Sequence, residues 1–320
     1  MTDLTYAQFL NEMMRLYGSG DYAAALALVE QHGDDYPEQE VGVAIIRVCL
    51  LNVNGHSEAA LQALQVALDK GYWYPLEALR GDPDLESLQG NPAYERMVAE
   101  CEARHAKARL EGKPELVVYP PAGADAVGAD AIRPYPLLLA FHWRGGNASS
   151  FAPYWQGLAE QGWLVAVAQS SQVSEFDAYC WDDLETAESE AQAHLATLQA
   201  QYPLDPQRVI LGGMSQGGGL AIWLACSRKL AASGFIGVAP FMRWMDEVGP
   251  QLPQGRIPGV RGCLITGGQD HDEGMFERIE GLLQAHEIPY QRQNYPDLAH
   301  AFPPDFEQRL PEMLAFIAGA

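Results

Sequence analysis

Apolar residues recur with two different periods along this chain of 320 residues. Up to about residue 110 the sequence is rich in Ala, Leu, Glu and Gln, the strong helix formers, and holds little that reads as a strand. The segment "DYAAALALVE" (21–30) matches "HSEAALQALQ" (56–65) at an offset of 35 residues, and each follows a glycine suited to ending a helix. Small residues at Ala25 and Ala60, followed by Leu26 and Leu61, suit helices packed closely in pairs. The stretch "LEGKPE" (110–115), with Gly112 and Pro114, ends this pattern. Short apolar runs follow, at 116–119, 137–143, 163–169, 208–213, 235–241, 263–268 and 290–295, and each reads as a strand. Helical segments are predicted between them near 151–161, 182–201, 216–230, 273–286 and 304–318. The segment at 182–201 opens with a capping-box pattern, Asp182 to Glu185, and puts Leu184, Ala187, Ala191, Leu195 and Leu198 on one face. Apolar strands alternating with helices predict a mostly parallel sheet covered by helices on both faces. The expected organisation is an all-α helical-repeat domain over 1–112 and an α/β domain over 113–320. Any functional crevice is expected beyond the carboxyl ends of the strands.

One stretch departs from regular patterning. In "RVILGGMSQGGGLAIWLA" (208–225) a strand-like run leads into two glycines, one serine and three more glycines, then into a helix of small residues. Gly213-Met214-Ser215-Gln216-Gly217 has the GxSxG form, a weak signal alone that gains meaning from its strand-to-helix setting. In such a turn the glycines allow a tight bend and hold one hydroxyl out over the sheet, which makes Ser215 the candidate nucleophile. A serine hydroxyl needs a base to remove its proton. His300, in "YPDLAHAFPPDF" between the last strand and the last helix, has the position of that base. His142 ends an early strand, while His194 and His286 fall inside helices. Asp270, in "CLITGGQDHDEG", follows a strand between serine and histidine and is the candidate acid, with Asp272 and Asp246 as alternatives. Donors for a developing oxyanion are expected from the backbone N–H of Gln216 and from the early loop in "LLLAFHWRGGNASS".

Composition narrows the partners. A formal charge of −22 argues against nucleic acid and anionic lipid unless a local basic patch overrides the field, and favours neutral small substrates. No apolar run approaches membrane-spanning length, and the N-terminus lacks the pattern of a secretory signal. The cysteines (Cys49, Cys101, Cys180, Cys226, Cys263) are odd in number, scattered and free of CxxC pairs, as in reduced core positions of a cytoplasmic protein. No cluster has zinc-like spacing, so neither metal nor cofactor is expected.

On these motifs, residues from about 115 to 320 resemble the α/β-hydrolase fold, in particular the phospholipase/carboxylesterase group of small serine esterases. The resemblance is carried by "LLLAFHWRGGN", "GGMSQGGGLAIWLA", "FIGVAPF", "ITGGQD" and "LAHAFP". It implies Arg144 as the second oxyanion N–H donor, with Trp143 the fallback, although Trp143 stands where that group commonly has glycine. Trp143 as an aromatic wall is the competing account. Trp181, in "YCWDDLE", is a candidate for lining the substrate pocket, against plain core packing, and "FMRWMDEVG" (241–249) is a candidate lid. The segment "GYWYPLEALRGDPDLESLQGNPAYERMVAECEARH" resembles the element that closes tetratricopeptide arrays. The resulting expectation is a cytoplasmic serine hydrolase cleaving small neutral esters or thioesters. The alternatives are a peptidase of prolyl-oligopeptidase type and an interaction protein using residues 1–112 for a protein partner or homodimer.

Overall fold

The computed structural model describes residues 4–121, 134–270 and 273–319. The chain divides into two compact units, Met1–Glu111 and Gly112–Ala320. The first contains α1 (Tyr6–Gly18), α2 (Tyr22–His32), α3 (Glu40–Val53), α4 (Ser57–Asp69), α5 (Leu76–Gly81) and α6 (Pro92–Glu111). The self-match is a repeated turn. Gly20 and Gly55 both have positive φ, 79° and 82°, a backbone conformation glycine adopts without Cβ strain. Around each, the same pair of N–H bonds reaches back into the helix before it, Gly20 to Tyr17 and Asp21 to Leu16, Gly55 to Asn52 and His56 to Leu51. Ala25 and Ala60 are fully buried, as close helix packing demands.

The second unit is built on a seven-stranded sheet. Its elements in chain order are β1 (Glu115–Tyr119), β2 (Tyr135–Phe141), α7 (Ala148–Phe151), β3 (Leu164–Gln169), β4 (Val173–Glu175), β5 (Ala178–Tyr179), α8 (Leu184–Gln201), β6 (Leu204–Met214), α9 (Gln216–Cys226), β7 (Gly234–Val238), α10 (Met245–Val248), β8 (Arg261–Gly267), α11 (Glu273–Ala285), β9 (Tyr290–Tyr295) and α12 (Phe306–Ala318). The strand order is β1-β3-β2-β6-β7-β8-β9; only β1 runs antiparallel to its neighbour. Alternate strand residues divide between two cores. Leu137, Leu139, Phe141, Leu211 and Leu264 pack with α8, α9 and α11 on one face. Leu138, Ala140, Ile210, Ile236 and Ile265 pack with Trp155 and α12 on the other.

Two local expectations change. The predicted helix at 151–161 is a single α-turn followed by 3₁₀ turns at Ala152–Tyr154 and Gln156–Gln161, because Pro153 interrupts the helical ladder and Gly162 closes it at a φ of 84°. The cap of α8 is Asp183, whose side chain accepts the N–H of Thr186 at 2.7 Å, and not Asp182. Asp182 turns its carboxylate elsewhere, with consequences given below. The small β4–β5 hairpin had no signal in the apolar pattern. No helix among the described residues is long and apolar enough to cross a membrane.

Candidate active site

Ser215 lies where β6 ends and α9 begins, with φ 54° and ψ −125°. A non-glycine residue in this region carries strain of about 1–3 kcal/mol, which persists only where the surroundings enforce it. The enforcement is visible. Ser215 N–H donates to the Val238 carbonyl at 2.9 Å, and the Ser215 carbonyl accepts from Phe241 and Gly219. A Cβ on Gly217 would stand 2.1 Å from the Phe141 carbonyl oxygen and 2.4 Å from that of His142. Glycine is required there because the ends of β2 and α9 touch backbone to backbone.

Asp270 follows β8, and its side chain is almost completely buried. Its Oδ2 accepts a hydrogen bond from His300 Nδ1 at 2.8 Å, which leaves Nε2 of the ring as the acceptor. His300 is carried by a loop that leaves β9 and folds back over β8. A Cβ on Gly267 would lie 2.2 Å from the Leu298 carbonyl oxygen, so the loop rests directly on the strand end. Phe302 continues the return, stacking on Tyr154 at 4.0 Å and meeting Trp155 at 6.1 Å. The Trp155 ring lies against Gly212 of β6, two residues before the end of that strand. Ser215, Asp270 and His300 thus all stand at the carboxyl edge of the sheet. Asp246 is exposed and ion-paired with Arg278, which removes it as an alternative acid. Asp272 lies outside the described residues.

The early loop is held from beneath. His142 is fully buried, and burial pushes its pKa down to about 4 against the opposing pull of its bond to the Trp143 carbonyl, so the ring is neutral. Its Nδ1 donates to the Trp143 carbonyl at 2.7 Å, and its Nε2 accepts from Ser170 N–H at 3.4 Å. Ser170 in turn donates its hydroxyl to buried Glu190 at 3.3 Å. A second tether runs from the segment before α8. Trp181 Nε1 donates to the His142 carbonyl at 2.9 Å, and Trp181 N–H donates to Gln216 Oε1 at 2.9 Å. Gln216 Nε2 then donates to Asp182 Oδ1 at 2.8 Å, and Arg144 donates to Asp182 Oδ2 at 3.3 Å. Arg243 also donates to Asp182 Oδ1, and Trp244 Nε1 to the Asp182 carbonyl at 3.0 Å. Burial opposes the charged form of Asp182, but the bonds from Gln216 and Arg144 and the nearby guanidiniums outweigh it and hold the carboxyl below its usual range.

These bonds correct one expectation. Trp181 is fully buried and spends its indole N–H on a backbone carbonyl, so it does not line a substrate pocket. It is a strut between the early loop and Gln216. Trp143 is partly buried and packs edge-on against Phe151 at 5.4 Å and Tyr154 at 6.2 Å, as an aromatic wall. Asp182 was not foreseen as the partner of Gln216, nor Arg243 as that of Asp182. Their contacts span 34 and 61 residues of chain, and no local pattern encodes such a distance.

Among the described residues, the side chains that come together as a metal-binding group would are Cys49, Asp82 and Asp84, in the helical unit. Protein donors already occupy them: Cys49 Sγ faces Asp82 Oδ2 at 3.6 Å, Asp84 N–H bonds Asp82 Oδ1, and Tyr17 bonds Asp84 Oδ1 at 2.8 Å. All five cysteines are buried and unpaired by disulfides.

Comparison with known proteins bears on the fold. Residues 5–109 match a family model described as the A/B hydrolase-like, N-terminal domain. A poly(3-hydroxybutyrate) depolymerase of Ralstonia pickettii is 28% identical over 89 residues, 25% of this chain, and the match spans only 18% of that protein. The crystal structure of an uncharacterized protein from Bacillus cereus ATCC 10987 matches 98% of this chain and 99% of its own, at 26% identity and a TM-score of 0.53. The crystal structure of esterase PE8 matches 64% of this chain and 99% of its own, at 17% identity and a TM-score of 0.53. Sheet topology and these likenesses together establish the α/β-hydrolase fold, with a helical unit preceding it.

Proposed function

We propose that this chain of α/β-hydrolase fold is a serine esterase, cleaving small carboxylic esters or thioesters through an acyl-enzyme on Ser215. The observation that carries the reading is the 2.8 Å bond between His300 and a buried Asp270, at the sheet edge where Ser215 is held at positive φ. In this mechanism His300 Nε2 takes the Ser215 proton as Oγ attacks the carbonyl carbon. Asp270 fixes the ring tautomer and stabilises the imidazolium. His300 returns the proton to the departing alcohol or thiol, and water, deprotonated by the same ring, releases the acid.

The oxyanion is assigned to the N–H groups of Gln216 and Arg144. A trans peptide points its C=O and N–H in opposite directions. The Trp143 carbonyl faces the His142 ring, so Arg144 N–H points away from that buried side chain. The His142 carbonyl faces Trp181 and Gly217, so Trp143 N–H points away from the nucleophile turn. This supports Arg144 over Trp143. Such donors contribute roughly 2.7–4 kcal/mol each when they are preorganised.

A fluorophosphonate probe followed by peptide mapping tests the reading. Modification at Ser215, absent in the Ser215→Ala variant, is the expected result. Modification of a different residue, or none, overturns it.

A further inference from the structure

The sheet has two faces, and the site draws different chemistry from each. Phe302, two residues beyond His300, belongs to the face that packs with Trp155 and α12, where Trp143, Tyr154 and Phe302 form an aromatic ledge. Tyr154 is 40% exposed on that ledge. Trp181 and Trp244 belong to the opposite core. There Asp182, beside Gln216, draws in Arg144 from the end of β2 and Arg243 from the loop after β7. The leaving group departs on the His300 side, since His300 protonates it. The acyl chain is therefore left with the opposite side, where the two arginines stand.

The arginines exceed what Asp182 needs. Asp182 bonds both guanidiniums, Glu175 also acts on Arg144 without bonding it, and Arg243 bonds no carboxylate but Asp182 among the described residues. Both side chains are open to solvent, 52% exposed for Arg144 and 45% for Arg243, and each retains most of its N–H donors after bonding Asp182. In a chain with 42 acidic and 20 basic side chains, such an excess is the local basic patch needed to overcome the general repulsion of anions. A guanidinium with unused in-plane donors is suited to a carboxylate.

We propose that Arg144 and Arg243 form a carboxylate subsite, and that the preferred substrates are esters whose acyl chain ends in a carboxylate, the half-esters of dicarboxylic acids. The inference rests on the serine-esterase reading for the identity of the acyl side.

The test compares mono-p-nitrophenyl glutarate with p-nitrophenyl pentanoate, an acyl chain of equal length without the charge. The ratio of their kcat/KM values is expected above one in the wild type. It should fall about tenfold in Arg243→Gln, recover in part in Arg243→Lys, and shrink as salt is raised. A wild-type ratio below one, or one indifferent to salt and to Arg243→Gln, overturns the proposal. Calorimetric titration of the Ser215→Ala variant with monomethyl glutarate reads the subsite without turnover. Binding that Arg243→Gln weakens supports it, and absence of binding at millimolar concentration overturns it. Binding without fluorophosphonate modification of Ser215 would sink the esterase reading alone; modification without binding would sink the subsite alone.

Discussion

The helical unit and the sheet unit both bury polar side chains, but they put them to different use. In the helical unit the bonds are spread out and mostly close the ends of helices. Asn52 donates to the Asp84 carbonyl at 2.6 Å, Tyr94 to the Leu79 carbonyl at 2.6 Å, and Arg104 to the carbonyls of Leu68 and Tyr72 at 2.8 Å each. In the sheet unit many of them crowd one edge, where His142, Trp181, Asp182, Gln216, Asp270 and His300 form connected chains of bonds. An unpaired buried polar group is costly wherever it lies. Where the partners are carbonyls at helix ends, the bonds secure packing. Where they are loops at strand ends, the bonds secure the positions of the groups to which the proposed mechanism assigns the chemistry. Substitutions in the first unit should therefore move stability, and those at the sheet edge should move catalysis.

The largest effect is expected from Ser215→Ala. Its kcat/KM should fall on the order of 10⁵-fold, with the melting temperature retained or raised, since only the hydroxyl is lost. A smaller drop in initial-rate assays would remove Ser215 as nucleophile.

Next come two changes of about 3 kcal/mol in stability. Gly217→Ala would put a methyl 2.1 Å from the Phe141 carbonyl oxygen and force the end of β2 away from α9, at about 3 kcal/mol by denaturant unfolding. His142 supplies the pH-dependent counterpart. Its folded pKa of about 4 lies below the ordinary 6.5, so the unfolded chain takes up the proton first as pH falls. The contribution is complete above pH 6.5 and is lost progressively down to pH 4, about 3 kcal/mol in all. Unfolding curves at pH 7 and pH 4 should show His142→Gln losing less stability over that interval than the wild type. Equal losses would remove His142 as the source.

Asp182→Ala tests the grip on the proposed oxyanion donors. Freed of their common carboxylate, Gln216 and Arg144 should lose alignment, lowering kcat roughly 10- to 100-fold while KM for a neutral ester changes little. A KM effect alone would make Asp182 a substrate contact and not a positioning residue. Asn52→Ala is the smallest and the contrary case. It should cost about 1–2 kcal/mol of stability and leave kcat/KM unchanged. A change in catalysis there would break the distinction between the two units.

Much of the architecture was legible in the chain. The runs read as strands at 116–119, 163–169, 263–268 and 290–295 coincide with β1, β3, β8 and β9 to within about two residues, because period-two apolar patterning and flanking glycines act locally. The turn at Ser215 was legible because its glycines sit next to the residue they serve. The helical hairpins at Gly20 and Gly55 were legible for the same reason. The reading failed where a local motif had a distant competitor. Asp182 has the spacing of a helix cap, yet Gln216, Arg144 and Arg243 claim its carboxylate and Asp183 takes the cap. Trp181 has the position of a pocket residue, yet the carbonyl it satisfies buries it.

By itself the amino-acid order determined the two-part architecture, the order of the strands' apolar faces and the sharp turn at one serine, since each depends on residues within a few positions of one another. Tertiary structure alone decided which acid meets His300, which way the early loop turns its amides, and that two arginines gather beside Gln216 in an acidic chain. Those outcomes are settled by hydrogen bonds and charges between segments 30 to 61 residues apart, and such contacts exist only once the sheet has brought its strand ends together.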